Sequence, residues 1–215
     1  MQLSSAQKKS GLKAVDTLKK LAREYFGSTD SLADIEKLLR KSGVSVEDSS
    51  SDISFPLPEA SKSEFDFFGF SDGACRGNPG PGAWGSMIQD SSGKVIFEGS
   101  GVERPSTNNR MEMTGALRCL EFLKEKGFIE DRVIVISDSK YVVDGMNQWV
   151  LGWKKRGWKK ADKKTPENVD LWMALDKLRL EFKHVGFSWV KGHAGHPQNE
   201  RCDQLANEAL DSEGY

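Results

Sequence analysis

The chain has 215 residues, 37% of them hydrophobic and 29% charged, with 31 Lys and Arg against 32 Asp and Glu. Its length fits one to two domains with a real core, and a net charge of −1 excludes a uniformly basic nucleic-acid binder, so affinity for nucleic acid has to come from local patches. Three widely spaced cysteines exclude a disulfide framework or a zinc site, and no apolar run approaches membrane-spanning length.

The first elements form a separate piece. Leu12, Val15, Leu18, Ala22 and Tyr25 share one helical face, and Leu32, Ile35, Leu38 and Leu39 share a second beyond the break GSTDS. A small helical hairpin is expected over residues 1–44, with Lys8, Lys9, Lys13, Lys19, Lys20 and Arg23 giving its first helix a basic bias. Contact with nucleic acid or with a protein partner is the expectation for it. The opening MQLSSAQKKSG has no signal-peptide hydrophobic region, which points to the cytoplasm. Ser, Asp, Glu and Pro dominate residues 45–63, the composition of a flexible linker, and a larger α/β domain is expected over 64–215.

That larger part opens with FDFFGFSD, an aromatic-rich strand broken by Gly73, Gly77, Pro79, Gly80, Pro81 and Gly82, so Asp72 is expected at a strand end facing a turn. AWGSMIQD, the turn SSG and KVIFEGSGV add two strands as an antiparallel meander. Thr107, Asn108 and Asn109 are candidate caps for a helix with Met113, Ala116, Leu117, Leu120 and Leu123 as its apolar stripe, which puts Glu112 in the first turn. RVIVISD is a β-branched strand ending at Asp138. A helix, a basic helix and a helix in PENVDLWMALDKLRL starting at Pro166 follow, then the strand HVGFSWV and a last helix with Asp203 early in it. The sum is a mixed five-stranded sheet with helices on its faces.

Asp72 and Asp138, ending neighbouring strands alike, would stand side by side, with Glu112 and Asp203 brought in on helices. A like-charged pair about 4 Å apart costs roughly 4 kcal/mol at an effective dielectric of about 20, so either protons or cations must neutralise such a group. Oxygen ligands without sulfur or clustered imidazole favour Mg²⁺ or Mn²⁺ over zinc. A carboxylate cage for magnesium and cleavage of a phosphodiester is the chemistry this pattern suggests.

Five motifs in order, SDGACRGNPGPGAWG, TNNRMEM, SDSKYV, WVLGWKKRGWKKADKKTPENVDLW and WVKGHAGHPQNERCDQLA, carry a resemblance from about Phe65 to Leu210. The chain there resembles ribonuclease HI, the cellular type 1 ribonuclease H. The resemblance implies strand order 3-2-1-4-5 and hydrolysis of the RNA strand of an RNA–DNA hybrid to 3′-hydroxyl and 5′-phosphate ends. It implies two Mg²⁺ ions, replaceable by Mn²⁺, held by Asp72, Glu112, Asp138 and Asp203, and a monomeric catalytic domain. His193 matches the histidine assigned to proton transfer or product departure. Gly73, Cys75, Asn78, Thr107, Asn108 and Asn109 match positions around the minor groove, where the 2′-hydroxyl distinguishes RNA. Tyr141, Trp153, Lys154, Lys155 and Arg156 match a surface for the DNA strand, where cations meet phosphates and an indole packs on sugar. Two other classes share parts of this pattern: a hybrid-binding module without activity, and a DNA-cutting integrase or resolvase relative.

Overall fold

Alternation along FFGFSDGAC sends Phe68 and Phe70 into one buried layer and makes β1 (Phe67–Cys75) the strand on which the sheet is built. A computed structural model describes residues 54–57, 64–192 and 194–215, all within one unit spanning Asp52–Tyr215. The hairpin expected over 1–44 and His193 lie outside the described residues.

β1 pairs antiparallel with β2 (Gly80–Asp90), which pairs antiparallel with β3 (Val95–Ser106). On its other edge β1 runs parallel to β4 (Arg132–Ser137), which runs parallel to β5 (His184–Trp189). The order is β3-β2-β1-β4-β5, the mixed sheet the sequence led us to expect. β4 is buried on both faces: Val133 and Val135 pack into one hydrophobic cluster, Ile134 and Ile136 into another. An unbroken β-branched run is what a parallel strand covered by helices on both sides requires.

Helix α1 (Asn108–Glu125) covers one face with Met113, Ala116, Leu120 and Leu123, all fully buried. Of its three candidate caps Thr107 takes the position, its hydroxyl accepting from Arg110 N at 3.4 Å, and Glu112 consequently falls just past the first turn. After β4 come α2 (Lys140–Asp144), a π-helical turn Gly145–Trp149 and α3 (Val150–Lys155). The expected basic helix stops there. The cations from Arg156 to Lys164 lie in turns, with Trp158 and Lys163 at φ 61° and 67°. Helix α4 (Val169–Arg179) starts three residues later than Pro166, because Asn168 adopts a left-handed conformation (φ 53°) and its carbonyl accepts from Leu171 and Trp172. Helix α5 (Pro197–Ser212) lies on the other face with Cys202, Leu205, Ala206 and Leu210 buried, and starts early enough that Asp203 is nearly two turns in.

Part of the segment expected to be a flexible linker is held. Ser54 bridges to Lys94, and Leu57 is only 4% exposed, inside the cluster of Phe68, Phe70 and Met87.

Candidate active site

Parallel register sets the site. Pairing of β1 with β4 ends at Ser71 and Ser137, so Asp72 and Asp138 are the next residues on adjacent strands running the same way. β1 itself does not end at Asp72; it continues to Cys75 along β2, with Asp72 opposite Gly85, and only its β4 edge is free from there. Asn199, from the first turn of α5, completes the junction: its Nδ2 donates to Asp72 Oδ2 at 3.2 Å and to Asp138 Oδ2 at 3.1 Å.

Glu112 comes from α1, which can press on β1 because residue 73 has no side chain. A Cβ there would lie 2.5 Å from the Glu112 backbone nitrogen and 2.9 Å from Met111 Cβ. Gly73 is therefore the contact that lets the helix approach. Asn108 Nδ2 donates to Glu112 Oε1 at 2.7 Å and the Ser139 hydroxyl donates to Oε2, which fixes both carboxylate oxygens. Asp203, on α5, accepts from Asn207 Nδ2 at 2.9 Å.

Asp72 is 8% exposed, and burial together with the nearby Asp138 carboxylate pushes its pKa up to about 8, with Asp203 and Glu112 adding to the repulsion and the Gly73 N–H opposing it. Burial also raises Glu112, against the hydrogen bonds from Ser139 and Asn108. The groups that oppose these two shifts are neutral: the Gly73 N–H at Asp72, and Ser139 and Asn108 at Glu112. The Asn199 amide, donating to both Asp72 and Asp138, stands between those two carboxylates. The donor set nonetheless fits a hard divalent cation, since all its ligands are oxygen and a buried carboxyl with raised pKa is the group such a charge would relieve.

The positions expected to meet the minor groove sit beside this junction, but several are occupied within the fold. Asn78 Oδ1 accepts from Asn108 N at 3.3 Å, which leaves its amide Nδ2 as a donor. Cys75 turns its thiol to the Gly77 carbonyl at 2.6 Å, and Thr107 is committed as the cap of α1.

On the far side of α2, Tyr141, Trp149, Trp153, Arg156, Lys160 and Pro166 line a groove of about 430 Å³. Its aromatic wall is rigid: Trp153 lies 5.8 Å from Trp149 and 5.7 Å from Trp172 by ring centroids, and Tyr141 OH accepts from Trp172 Nε1 and Asn168 Nδ2, each at 3.3 Å. Lys154 is engaged elsewhere. Its ammonium pairs at 2.8 Å with Asp176, whose side chain is 3% exposed and also binds Arg179.

Sequence reasoning missed Asn199, Ser139 and Trp189, whose indole donates to the Asp138 carbonyl at 2.9 Å. Asn199 carried a signal, since it precedes Asp203 by four residues on one helix and so faces the same way. Ser139 adjoins Asp138 but reaches Glu112 only through the fold.

A family described as RNase H matches residues 66–211. The ribonuclease H of Mesorhizobium japonicum is 50% identical over 141 residues, covering 66% of this chain and 76% of that protein. The ribonuclease H of Maricaulis maris is 50% identical over 140 residues, covering 65% and 90%. Among solved structures, LC11-RNase H1 in complex with an RNA/DNA hybrid superposes with TM-score 0.55 at 28% identity, covering 68% of this chain and 98% of that one.

Proposed function

The chain belongs to the ribonuclease H family, and from that premise we propose that it is an endonuclease that hydrolyses the RNA strand of RNA–DNA hybrids, leaving 3′-hydroxyl and 5′-phosphate ends. One observation carries this most directly: the Asp72 carboxyl, raised by burial and by the neighbouring Asp138, Asp203 and Glu112 carboxylates, with the neutral Gly73 N–H opposing them. Asp72, Glu112, Asp138 and Asp203 would hold two Mg²⁺ ions, with Mn²⁺ as substitute. Such ions supply a nucleophilic water at neutral pH and charge stabilisation for the departing 3′ oxygen.

The chain's own residues set the arrangement. Gly73 N donates to Asp72 Oδ1 at 2.7 Å, and Ser139 and Asn108 keep Glu112 oriented. His193, in the KGHAGH motif, is assigned to assisting proton transfer or product departure. Asn78, Asn108 and Asn109, with the backbone of the glycine-rich turn, face the 2′-hydroxyl in this reading, while Gly73, Cys75 and Thr107 shape the surface that presents them. Tyr141 and Trp153 offer aromatic faces to the DNA strand, and Lys155 and Arg156 offer charge to its phosphates. Among the described residues no helix is long and apolar enough to cross a membrane, and a monomeric enzyme of the cytoplasm is the proposed form. Residues 1–44 are proposed as an accessory piece that contacts nucleic acid or a partner protein.

An RNA–DNA hybrid labelled on either strand, incubated with the full-length protein and Mg²⁺, tests the reading. RNA-strand cleavage to products that a DNA polymerase extends supports it; cleavage of DNA, or binding without cleavage, overturns it.

The cations lining the aromatic groove and Lys154, which pairs with Asp176, should separate by behaviour. Arg156→Ala with Lys160→Ala is expected to raise KM and reduce the salt slope of binding by about 1–2, at unchanged kcat. Lys154→Ala is expected mainly to destabilise the fold by about 1–2 kcal/mol, because it removes one of two cations from the buried Asp176 while Arg179 remains. Salt titrations of hybrid binding and thermal melts check both, and an unchanged salt slope in the double variant would remove the groove from the contact surface.

A further inference from the structure

Residues 54–57 precede every position matched by the family, yet they are built into the body that carries the site. The Ser54 hydroxyl donates to Gly93 O at 3.0 Å and Phe55 N to the same carbonyl at 3.3 Å. The approach is close: a Cβ at Gly93 would meet Phe55 O at 2.9 Å. Leu57 seals the cluster of Phe68, Phe70, Met87, Ile134, Ile136 and Cys202.

Two buried amides then join this segment to α5. Gln89, fully buried, donates from Nε2 to Phe55 O at 3.0 Å and to Gly93 O at 2.5 Å. Gln198, 3% exposed, donates from Nε2 to Pro56 O at 2.8 Å and to Gln89 Oε1 at 3.1 Å. The residue after Gln198 is Asn199, whose amide bridges Asp72 and Asp138. One peptide bond therefore separates the strap's anchor from the junction of the two carboxylates.

We propose that Ser54–Leu57 is a positioning strap: by anchoring Gln198 and capping the cluster under Cys202, it fixes the first two turns of α5 and with them Asn199 and Asp203. Buried amides confer this control because each has a single satisfied geometry and loses it when its partner moves. The catalytic unit then begins at residue 54, ahead of the family match. The inference rests on the assignment of Asp72, Asp138 and Asp203 above.

The test uses the full-length protein with Gln198→Leu, which keeps the volume and removes both hydrogen bonds, Leu57→Ser, which empties the strap's pocket, and Leu57→Met as the conservative variant. Amide hydrogen exchange across residues 197–203 is expected to speed up about tenfold or more in the first two, with α1 unchanged, and kcat to fall about tenfold at unchanged KM. Leu57→Met is expected to match the parent in both. Exchange and kcat at parental levels in Gln198→Leu and Leu57→Ser, with only a lowered melting temperature, would overturn the strap's positioning role. Should Leu57→Ser fail to fold, Gln198→Leu decides alone. The exchange measurement needs no cleavage, so it reads the strap even if the proposed hydrolysis fails its own test.

Discussion

Asp72→Asn is expected to reduce cleavage of the hybrid about 10³-fold or more while making the metal-free protein more stable at alkaline pH. The first effect follows from losing a carboxylate shared by the site, since charge stabilisation by bound ions is worth several kcal/mol. The second follows from linkage. Unfolded, Asp72 titrates near 3.8; folded, burial and the Asp138 carboxylate hold it up to about 8. Below about pH 4 the group is protonated in both states and contributes no difference. Between about 4 and 8 the unfolded chain releases a proton that the folded one keeps, so stability is lost as pH rises, and above about 8 the loss stays constant. Asn has no such titration. The gap between variant and parent should therefore open across pH 4 to 8 and reach about 1–3 kcal/mol, or roughly 3–10 °C in melting temperature for a domain of this size. Mg²⁺ should raise the melting temperature of the parent and leave that of the variant nearly unmoved. Melts in EDTA and in Mg²⁺ across this pH range check the prediction; a variant less stable than the parent at pH 8 would show that Asp72 is not a strained charge.

What could be read from the residues and what could not divides along one physical line. Strands and helices with a clear period, such as RVIVISD or the stripe Met113, Ala116, Leu120 and Leu123, announce themselves because burial of one face is a local property of the chain. Side-by-side placement of Asp72 and Asp138 was likewise legible, since each follows an apolar run and the two runs lie parallel, although β1 goes on along β2 to Cys75. Other features depend on partners distant in sequence. Ser139 meets Glu112 across 27 positions and Gln198 meets Pro56 across 142, and neither pairing has a local signature. Composition misleads in the same way: Ser, Pro and Asp around residue 54 read as linker, yet one leucine and two distant glutamines hold it. Lys154 looks like its neighbours Lys155 and Arg156 in sequence, and only the fold sets a buried Asp176 against it.

The glycine at 85 should prove as important to the site as a carboxylate. It lies opposite Asp72 on β2, and a Cβ there would sit 2.0 Å from Cys202 O and 3.0 Å from Ala206 N. Both are backbone atoms of α5, so no side-chain rotation relieves the overlap and the helix must shift by about an ångström or more. Asp203 follows Cys202 directly and moves with it, while Asp72 stays on the strand. Gly85→Ala is therefore expected to cost about 1–3 kcal/mol of stability and to lower kcat by about 10²-fold, since a misplacement of that size suffices for such a loss. Gly127→Ala provides the comparison: φ is +83° and a Cβ would meet nothing within 4 Å, so it carries backbone strain of about 1 kcal/mol with no route to the site. If both variants lose similar stability but only Gly85→Ala loses turnover, the close packing of α5 on β2 is what brings Asp203 to Asp72. Equal kcat in the two, measured well below their melting temperatures, would mean that the approach of this helix does not set the geometry of the reaction centre.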